Sequence, residues 1–249
     1  MGKEALIVTN ISREQPGTIL DVLKQRGWSS AVVNLDAGEK FPSPTRFGAL
    51  IVMGGPPSAN DTTEQTRWMP DEISRIQDAL NSDIPYLGTC LGLQTLVKAA
   101  GGNITRSPQK EVGFRESYEE PLGKFYTVQL TPEGRRDPLF EGLPDTLPLF
   151  HLHGETVELT PNMTHPTKLI ATGELVPNQI VRVGKNAYGT QGHFELTPEM
   201  LGIWLKEDPD LLSLGAKGVE QVAHDFQELQ ENYVQVARAM YNNFLTLAS

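Results

Sequence analysis

The chain has 249 residues, 39% hydrophobic and 21% charged, as expected for one large globular domain spanning 1–249. Its net charge of -10, with no cluster of basic residues, excludes the positive surface of a nucleic-acid-binding protein. A single cysteine excludes an internal disulfide and a multi-cysteine zinc site. The N-terminus enters a strand pattern at once and no apolar run reaches membrane-spanning length, so we expect a cytoplasmic protein without membrane contact.

Short apolar runs alternate with helical patterns in the first hundred residues. Such runs are typical of strands buried on both faces of a parallel sheet. Strands alternating with helices predict right-handed crossovers and an open, doubly wound sheet, whose ligands bind beyond the carboxyl ends of the strands. The predicted strands are 5–9, 31–35, 49–53 and 85–89, and the predicted helices are 16–26, 70–80 and 91–100.

The pattern changes in the second half of the chain. From 103 to 195, short strands such as 125–130 and 168–172 predict small antiparallel additions to the same core. A long helix follows at about 216–246, with apolar residues recurring every three or four positions on one stripe. We expect this stripe to pack on the body of the protein, and a dimer contact is the alternative.

The only cysteine, Cys90, lies where an apolar strand ends and a helix begins, with Gly88 and Gly92 two residues to either side. This layout is that of a nucleophile elbow, and the helix N-terminus favours a thiolate and can bind an oxyanion. A lone cysteine is more often a small buried hydrophobic residue, but the flanking glycines favour the functional interpretation. The α/β-hydrolases use the same geometry, so the elbow alone does not choose the family.

A thiolate nucleophile needs an imidazole base, and the imidazole needs a third group to fix its tautomer. His193 is the best candidate because Glu195 lies two residues further, where it shares a strand face or bends back to the ring. Thr197 and Pro198 predict the start of a helix immediately afterwards. His165 in a loop and His224 in the terminal helix fit ordinary surface positions.

His151, His153 and Glu155 form a rival cluster on alternate positions of one strand. Two imidazoles and a carboxylate can bind a metal ion, but no further ligands are evident, so we predict no metal. A place near the substrate fits this cluster better.

The loop at 54–61, GGPPSAND, follows the third strand and therefore lies at the same sheet edge as Cys90. Gly54 and Gly55 allow the backbone to approach a ligand, and the N–H groups of Gly55 and Leu91 form a candidate oxyanion hole. A simple tight turn is the alternative. No phosphate-binding or dinucleotide-binding glycine motif occurs, so no cofactor is predicted, and ATP-driven synthesis would need another subunit.

Three segments together resemble the class I, or triad, glutamine amidotransferases, and in particular stand-alone proteins similar to the amidotransferase domain of GMP synthase. They are GGPPSAND at 54–61, GTCLGLQ at 88–94 and QGHFELTPE at 191–199, with further likeness in DPLFEGLP at 137–144 and FHLHGE at 150–155. The resemblance extends from about residue 45 to 205. It implies an α/β, flavodoxin-like three-layer sandwich with a mainly parallel central sheet and small antiparallel additions.

The resemblance also implies residue roles. Cys90, His193 and Glu195 match the catalytic triad, and Gly55 and Leu91 match the oxyanion donors. Phe194 stands where the family commonly has proline, and Gly192 where a bulky residue is more usual, which affects pocket shape more than chemistry. The residues expected near the substrate are Gln94, Gly54, Val112, Gly113, Phe114 and His153.

The leading hypothesis is hydrolysis of a γ-glutamyl amide through a thioester on Cys90, releasing ammonia or an amine. Free glutamine would imply a synthetase partner that accepts ammonia, whereas a γ-glutamyl peptide or conjugate would suit an enzyme working alone. The absence of a synthetase domain favours the second slightly. A catalytically silent binding or regulatory subunit of the same fold is the alternative, because a fold does not certify a function.

Overall fold

Eleven strands and six α-helices form the part of the chain that the computed structural model describes, residues 3–249. The strands are β1 (Glu4–Thr9), β2 (Ser29–Asn34), β3 (Ala49–Val52), β4 (Tyr86–Thr89), β5 (Asn103–Gly113), β6 (Thr127–Leu130), β7 (Thr146–Pro148), β8 (His151–Glu158), β9 (Thr167–Gly173), β10 (Ile180–Val183) and β11 (Ala187–Thr190). The helices are α1 (Thr18–Gln25), α2 (Met69–Asn81), α3 (Leu91–Ala99), α4 (Pro198–Glu207), α5 (Pro209–Leu212) and α6 (Gly215–Leu247).

The central sheet has nine strands in the order β2-β1-β3-β4-β11-β10-β9-β6-β7. The first five strands in this order pair in parallel, and the remaining pairs are antiparallel. The parallel part has the strand order of flavodoxin-like folds, so the predicted fold class is confirmed. The carboxyl ends of β1, β3, β4 and β11 therefore lie at one edge of the sheet.

Alternate residues of the parallel strands point into two different layers of the core, as strand geometry requires. In β1, Ala5 and Ile7 pack on the side that includes residues of α1 and α6, whereas Leu6 and Val8 pack on the side of α2 and α3. All four are fully buried. This two-sided burial is why these strands have continuous apolar sequences.

A separate two-stranded sheet, β5 and β8, lies outside the central sheet. Its register pairs Glu111 with His153 and Gly113 with His151, and it shifts between Arg106 and Glu111. This irregular stretch of β5 is the part that reaches the cavity described below.

Helix α6 has 33 residues, and its apolar stripe packs on the body of the protein. Phe226 and Tyr233 on this helix contact Phe114 in an aromatic cluster. The hydroxyl of Tyr233 donates a hydrogen bond to the backbone carbonyl of His193. The terminal helix thus supports the segment that carries the predicted base.

None of the helices within residues 3–249 combines the length and the apolar character that crossing a membrane requires.

Candidate active site

Cys90 occupies the sharp turn between β4 and α3. Its backbone has φ +52° and ψ -103°, a left-handed conformation that is costly for a residue other than glycine and clusters at functional sites. A side chain at Gly92 would clash with the carbonyl of Val52, and one at Gly88 would clash with the backbone of Gly92. The glycines are therefore needed where the strand, the turn and the helix meet, as the elbow prediction requires.

His193 and Glu195 follow β11, the strand next to β4 in the sheet. The Nδ1 atom of His193 lies 2.7 Å from Oε1 of Glu195, and both side chains are only 1% exposed. The backbone N–H of His193 also donates to the carbonyl of Phe150 at 2.9 Å. The carboxylate fixes the ring, and Nε2 of His193 is left without a hydrogen-bond partner among residues 3–249.

The electrostatics of this pair favour a charged imidazole. Burial acts to lower the pKa of His193, but the charge and hydrogen bond of Glu195, with a contribution from Cys90, outweigh it. Together they raise the pKa of His193 well above its ordinary value. A protonated His193 beside Cys90 is the arrangement that stabilises a thiolate.

The loop after β3 brings the predicted residues together. A Cβ atom built on Gly54 would lie 3.3 Å from Cε1 of His193 and 3.4 Å from Cβ of Cys90. The carboxyl ends of β3, β4 and β11 therefore converge on one point. A side chain at this position would crowd the imidazole and would clash with Oε2 of Glu14.

The two residues of the oxyanion prediction, Gly55 and Leu91, lie next to each other at the start of α3. Leu91 is the first residue of α3, so its N–H has no partner within the helix. A Cβ atom at Gly55 would lie 3.3 Å from Cδ2 of Leu91 and 2.9 Å from Cβ of Asn10. The Asn10 amide donates to the carbonyl of Met53 at 3.2 Å, which anchors the start of this loop.

A cavity of about 820 Å³ opens beside Cys90. Of the residues predicted near the substrate, Gln94 and His153 line it, as does Gly55 of the oxyanion loop. The Gln94 amide donates to the carbonyl of Glu155 at 3.4 Å, which ties α3 to β8 at the cavity wall.

Val112, Gly113 and Phe114 lie outside the lining of this cavity. Phe114 is 1% exposed and packs edge-on against Phe150 at 5.1 Å, so its ring belongs to the aromatic cluster under α6. Gly113 has φ +80°, and the Tyr118 hydroxyl occupies the space beside it. The stretch of β5 at 106–110, where the register shifts, lines the cavity instead.

The second histidine cluster is completed by Glu111 rather than by the Glu155 side chain. Oε2 of Glu111 lies 2.8 Å from Nε2 of His153 and 3.4 Å from Nδ1 of His151. His153 Nδ1 contacts the backbone carbonyl of Glu155 at 3.2 Å. Burial lowers the pKa of His151 well below its ordinary value, so this ring is neutral. The three side chains have the spacing of a ligand set, but Glu111 also accepts a hydrogen bond from Gln179 at 2.8 Å.

Two residues near the thiol are absent from the predicted set. The Gln191 amide lies 3.7 Å from the Sγ atom of Cys90. Glu14 follows the carboxyl end of β1 and lines the same cavity. Its position after a parallel strand is the signal by which the sequence could have indicated it.

The fold and the site define the class of α/β proteins with a cysteine at a strand-to-helix elbow and a histidine–carboxylate pair beside it. A profile of the family Glutamine amidotransferase class-I matches residues 16–205. The glutamine amidotransferase-like protein YfeJ of Salmonella typhimurium is 31% identical over 195 residues, which are 77% of this chain and 75% of YfeJ.

The glutamine-hydrolyzing GMP synthase of Thermosipho melanesiensis is 26% identical over 82% of this chain, and the match covers 35% of that longer protein. The solved structure of a glutamine amidotransferase from Methylobacillus flagellatus superposes with a TM-score of 0.84 at 26% identity, covering 99% of this chain and 96% of that one. The chain belongs to the class I glutamine amidotransferase family. This membership supports amidohydrolase activity in general.

Proposed function

We propose that the protein hydrolyses a γ-glutamyl amide through a γ-glutamyl thioester on Cys90, with His193 as general acid and base and Glu195 as the residue that orients it. The observation that carries the proposal is the convergence of Cys90 and the His193–Glu195 pair at Gly54. The raised pKa of His193 supports it, because the imidazolium is the proton donor that an amine leaving group requires.

In the acylation step the Cys90 thiolate attacks the side-chain carbonyl of the substrate, and the carbonyl electron pair moves onto oxygen. The N–H groups of Gly55 and Leu91 would hold this oxyanion. As the C–N bond breaks, His193 transfers its proton to the leaving nitrogen. The products are a thioester on Cys90 and ammonia or an amine.

In the deacylation step a water molecule attacks the thioester carbonyl, and the neutral His193 takes a proton from this water. Collapse of the second tetrahedral intermediate breaks the C–S bond, releases glutamate and regenerates the Cys90 and His193 pair. Glu195 keeps Nδ1 of His193 as the donor side of the ring throughout, so Nε2 carries every proton transfer.

Gln94, Gly54 and His153 are proposed to contact the γ-glutamyl part of the substrate. Gln94 and His153 line the cavity, and Gly54 adjoins both Cys90 and His193. Val112 and Gly113 would act at a distance, by holding β5 against β8, and Phe114 by packing on Phe150.

Two substrate types fit the proposal. A relative from Methanococcus maripaludis is named as one of the subunits of a glutamine-hydrolyzing GMP synthase, which supports free glutamine as substrate and a synthetase partner as ammonia acceptor. The cavity of about 820 Å³ is open enough for a larger γ-glutamyl conjugate, which an enzyme without a partner would hydrolyse.

The first test is intact-mass analysis after incubation with 6-diazo-5-oxo-norleucine, a glutamine-mimicking electrophile. Because Cys90 is the only cysteine, we expect one adduct on the wild type and none on Cys90→Ala. Cys90→Ala should also abolish γ-glutamyl amide hydrolysis while keeping the thermal midpoint and circular dichroism of the wild type. An unlabelled wild type, or a hydrolytically active Cys90→Ala, would contradict the proposal and favour a silent binding protein.

A further inference from the structure

Glu14 is a buried carboxyl group in the wall of the active-site cavity. The residue is 5% exposed, and it lines the same cavity as Cys90. No hydrogen bond is among the main influences on the pKa of this carboxyl group, which are burial and neighbouring charges. Burying a carboxyl group without a hydrogen-bond donor is costly. Because this group faces the cavity, we infer that a bound ligand supplies the donor.

The position of Glu14 relative to the proposed reaction is set by Gly54. A side chain at Gly54 would clash with Oε2 of Glu14 and would also contact Cε1 of His193 and Cβ of Cys90. The Glu14 carboxyl therefore lies beside the imidazole at the reacting centre. In the proposed reaction His193 must reach the leaving nitrogen to protonate it, which would bring that nitrogen close to Glu14 as well.

The neighbouring charges leave Glu14 without a counter-ion of its own. Arg13, the adjacent cation, is engaged by Asp208 at 2.6 Å. Burial is the largest effect on the pKa of Glu14, and the charges of Glu195 and Asp208 add to it, whereas His193 and Arg13 oppose it. The net result is a pKa of about 7, so this carboxyl changes its charge in the neutral range.

We propose that Glu14 contacts the leaving nitrogen of the substrate and selects γ-glutamyl amides of ammonia or simple amines over γ-glutamyl amides of amino acids. This inference rests on the proposed function and names the substrate class for the same site. A carboxylate accepts a hydrogen bond from the N–H of a departing amine, whereas it repels the carboxylate that an amino-acid leaving group carries beside its nitrogen. Glu14 itself forms no covalent bond and transfers no proton, because His193 supplies the proton to the leaving nitrogen.

The experiment compares kcat/KM for γ-glutamylmethylamide and γ-glutamylglycine between about pH 5.5 and 8.5, the range in which Glu14 titrates. The ratio of the two values cancels the pH dependence of the catalytic steps that both substrates share. In the wild type we expect the ratio to favour the methylamide and to rise as the pH increases through about 7, because Glu14 becomes charged.

In Glu14→Gln the ratio should fall by about tenfold or more above neutral pH and lose its pH dependence, since the charge-assisted contact is gone. Glu14→Asp keeps the charge and should retain a pH-dependent ratio. Asp61→Asn is the matched control, because Asp61 lines the same cavity and the asparagine can still accept the hydrogen bond from the Ser58 N–H. In this control the ratio should keep the pH dependence of the wild type.

An unchanged ratio in Glu14→Gln, or an equal change in Asp61→Asn, would overturn the inference while the proposed function stands. Labelling of Glu14→Gln by 6-diazo-5-oxo-norleucine verifies a folded site, because this reagent reacts without an amine leaving group. A wild type that neither forms the adduct nor hydrolyses any γ-glutamyl amide would overturn both proposals.

Discussion

Two buried histidine–carboxylate clusters lie near the same cavity, and they differ in what the ring nitrogens contact. In the first, Glu195 holds Nδ1 of His193, and Nε2 is left without a hydrogen-bond partner within residues 3–249. In the second, both nitrogens of His153 are engaged, by Glu111 at 2.8 Å and by the Glu155 carbonyl at 3.2 Å.

Residue type and burial therefore do not by themselves show which histidine takes part in proton transfer. An imidazole can transfer protons when one nitrogen is oriented and the other is free beside a reacting group. An imidazole with both nitrogens engaged instead joins the strands that carry its partners, here β5 and β8. We therefore assign proton transfer to the first cluster, and to the second a structural role that holds His153 at the cavity wall without proton transfer.

The largest effect is expected at His193. His193→Asn should lower kcat/KM for γ-glutamyl amides by roughly 10³-fold or more, because the leaving amine then departs without a proton donor. Steady-state kinetics would measure the loss, and urea unfolding would establish that the variant is folded. Activity within about tenfold of the wild type would mean that His193 is not the proton donor of the reaction. The two clusters would then no longer differ in their assigned function.

Glu195→Gln should have the next largest effect, a loss of about 10²–10⁴-fold in kcat/KM, because the ring loses its fixed tautomer and the charge that supports the imidazolium. Since Glu195 raises the pKa of His193, the substitution should lower that pKa. The alkaline limb of the kcat/KM profile, which reports His193 in its protonated form, should then move to lower pH. A limb that stays in place or moves to higher pH would contradict the assignment.

Glu111→Gln should lower the stability of the fold without removing the reactivity of Cys90. The substitution leaves part of the buried hydrogen bonding around His151, His153 and Gln179 unsatisfied, which costs about 1–3 kcal/mol, so we expect a loss of about 2 kcal/mol in the free energy of unfolding. Urea denaturation would measure this loss. The folded protein should still react with 6-diazo-5-oxo-norleucine at Cys90. Complete loss of labelling in a folded Glu111→Gln would instead place this cluster in the reaction.

The features that the sequence predicted correctly are those that depend on patterns within a few neighbouring residues. Continuous apolar runs indicated β1, β3 and β4, because strands buried on both faces need apolar side chains on both. Glycines at 88 and 92 indicated the elbow, since only they allow the backbones to approach there. The Thr197 cap also lies where the sequence indicated it, with its side chain accepting from the Met200 N–H.

The cavity wall was less predictable, because it depends on where distant segments come to lie. The register shift in β5 lies at 106–110, the stretch that lines the cavity, whereas Phe114, after Gly113, packs in the aromatic cluster. No local sequence pattern encodes either position. Similarly, Glu111 rather than Glu155 joins the two histidines because β5 and β8 pair antiparallel in one particular register.

The sequence by itself determined the buried parallel strands, the elbow at Cys90 and the pairing of His193 with Glu195, since these features follow from periodicity and short spacing. Tertiary structure alone decided that Glu14, which follows β1, meets His193 across Gly54. It also decided which histidine keeps a free nitrogen among the residues at 3–249. Contacts between residues far apart in the chain depend on packing and register, and these are properties of the whole fold.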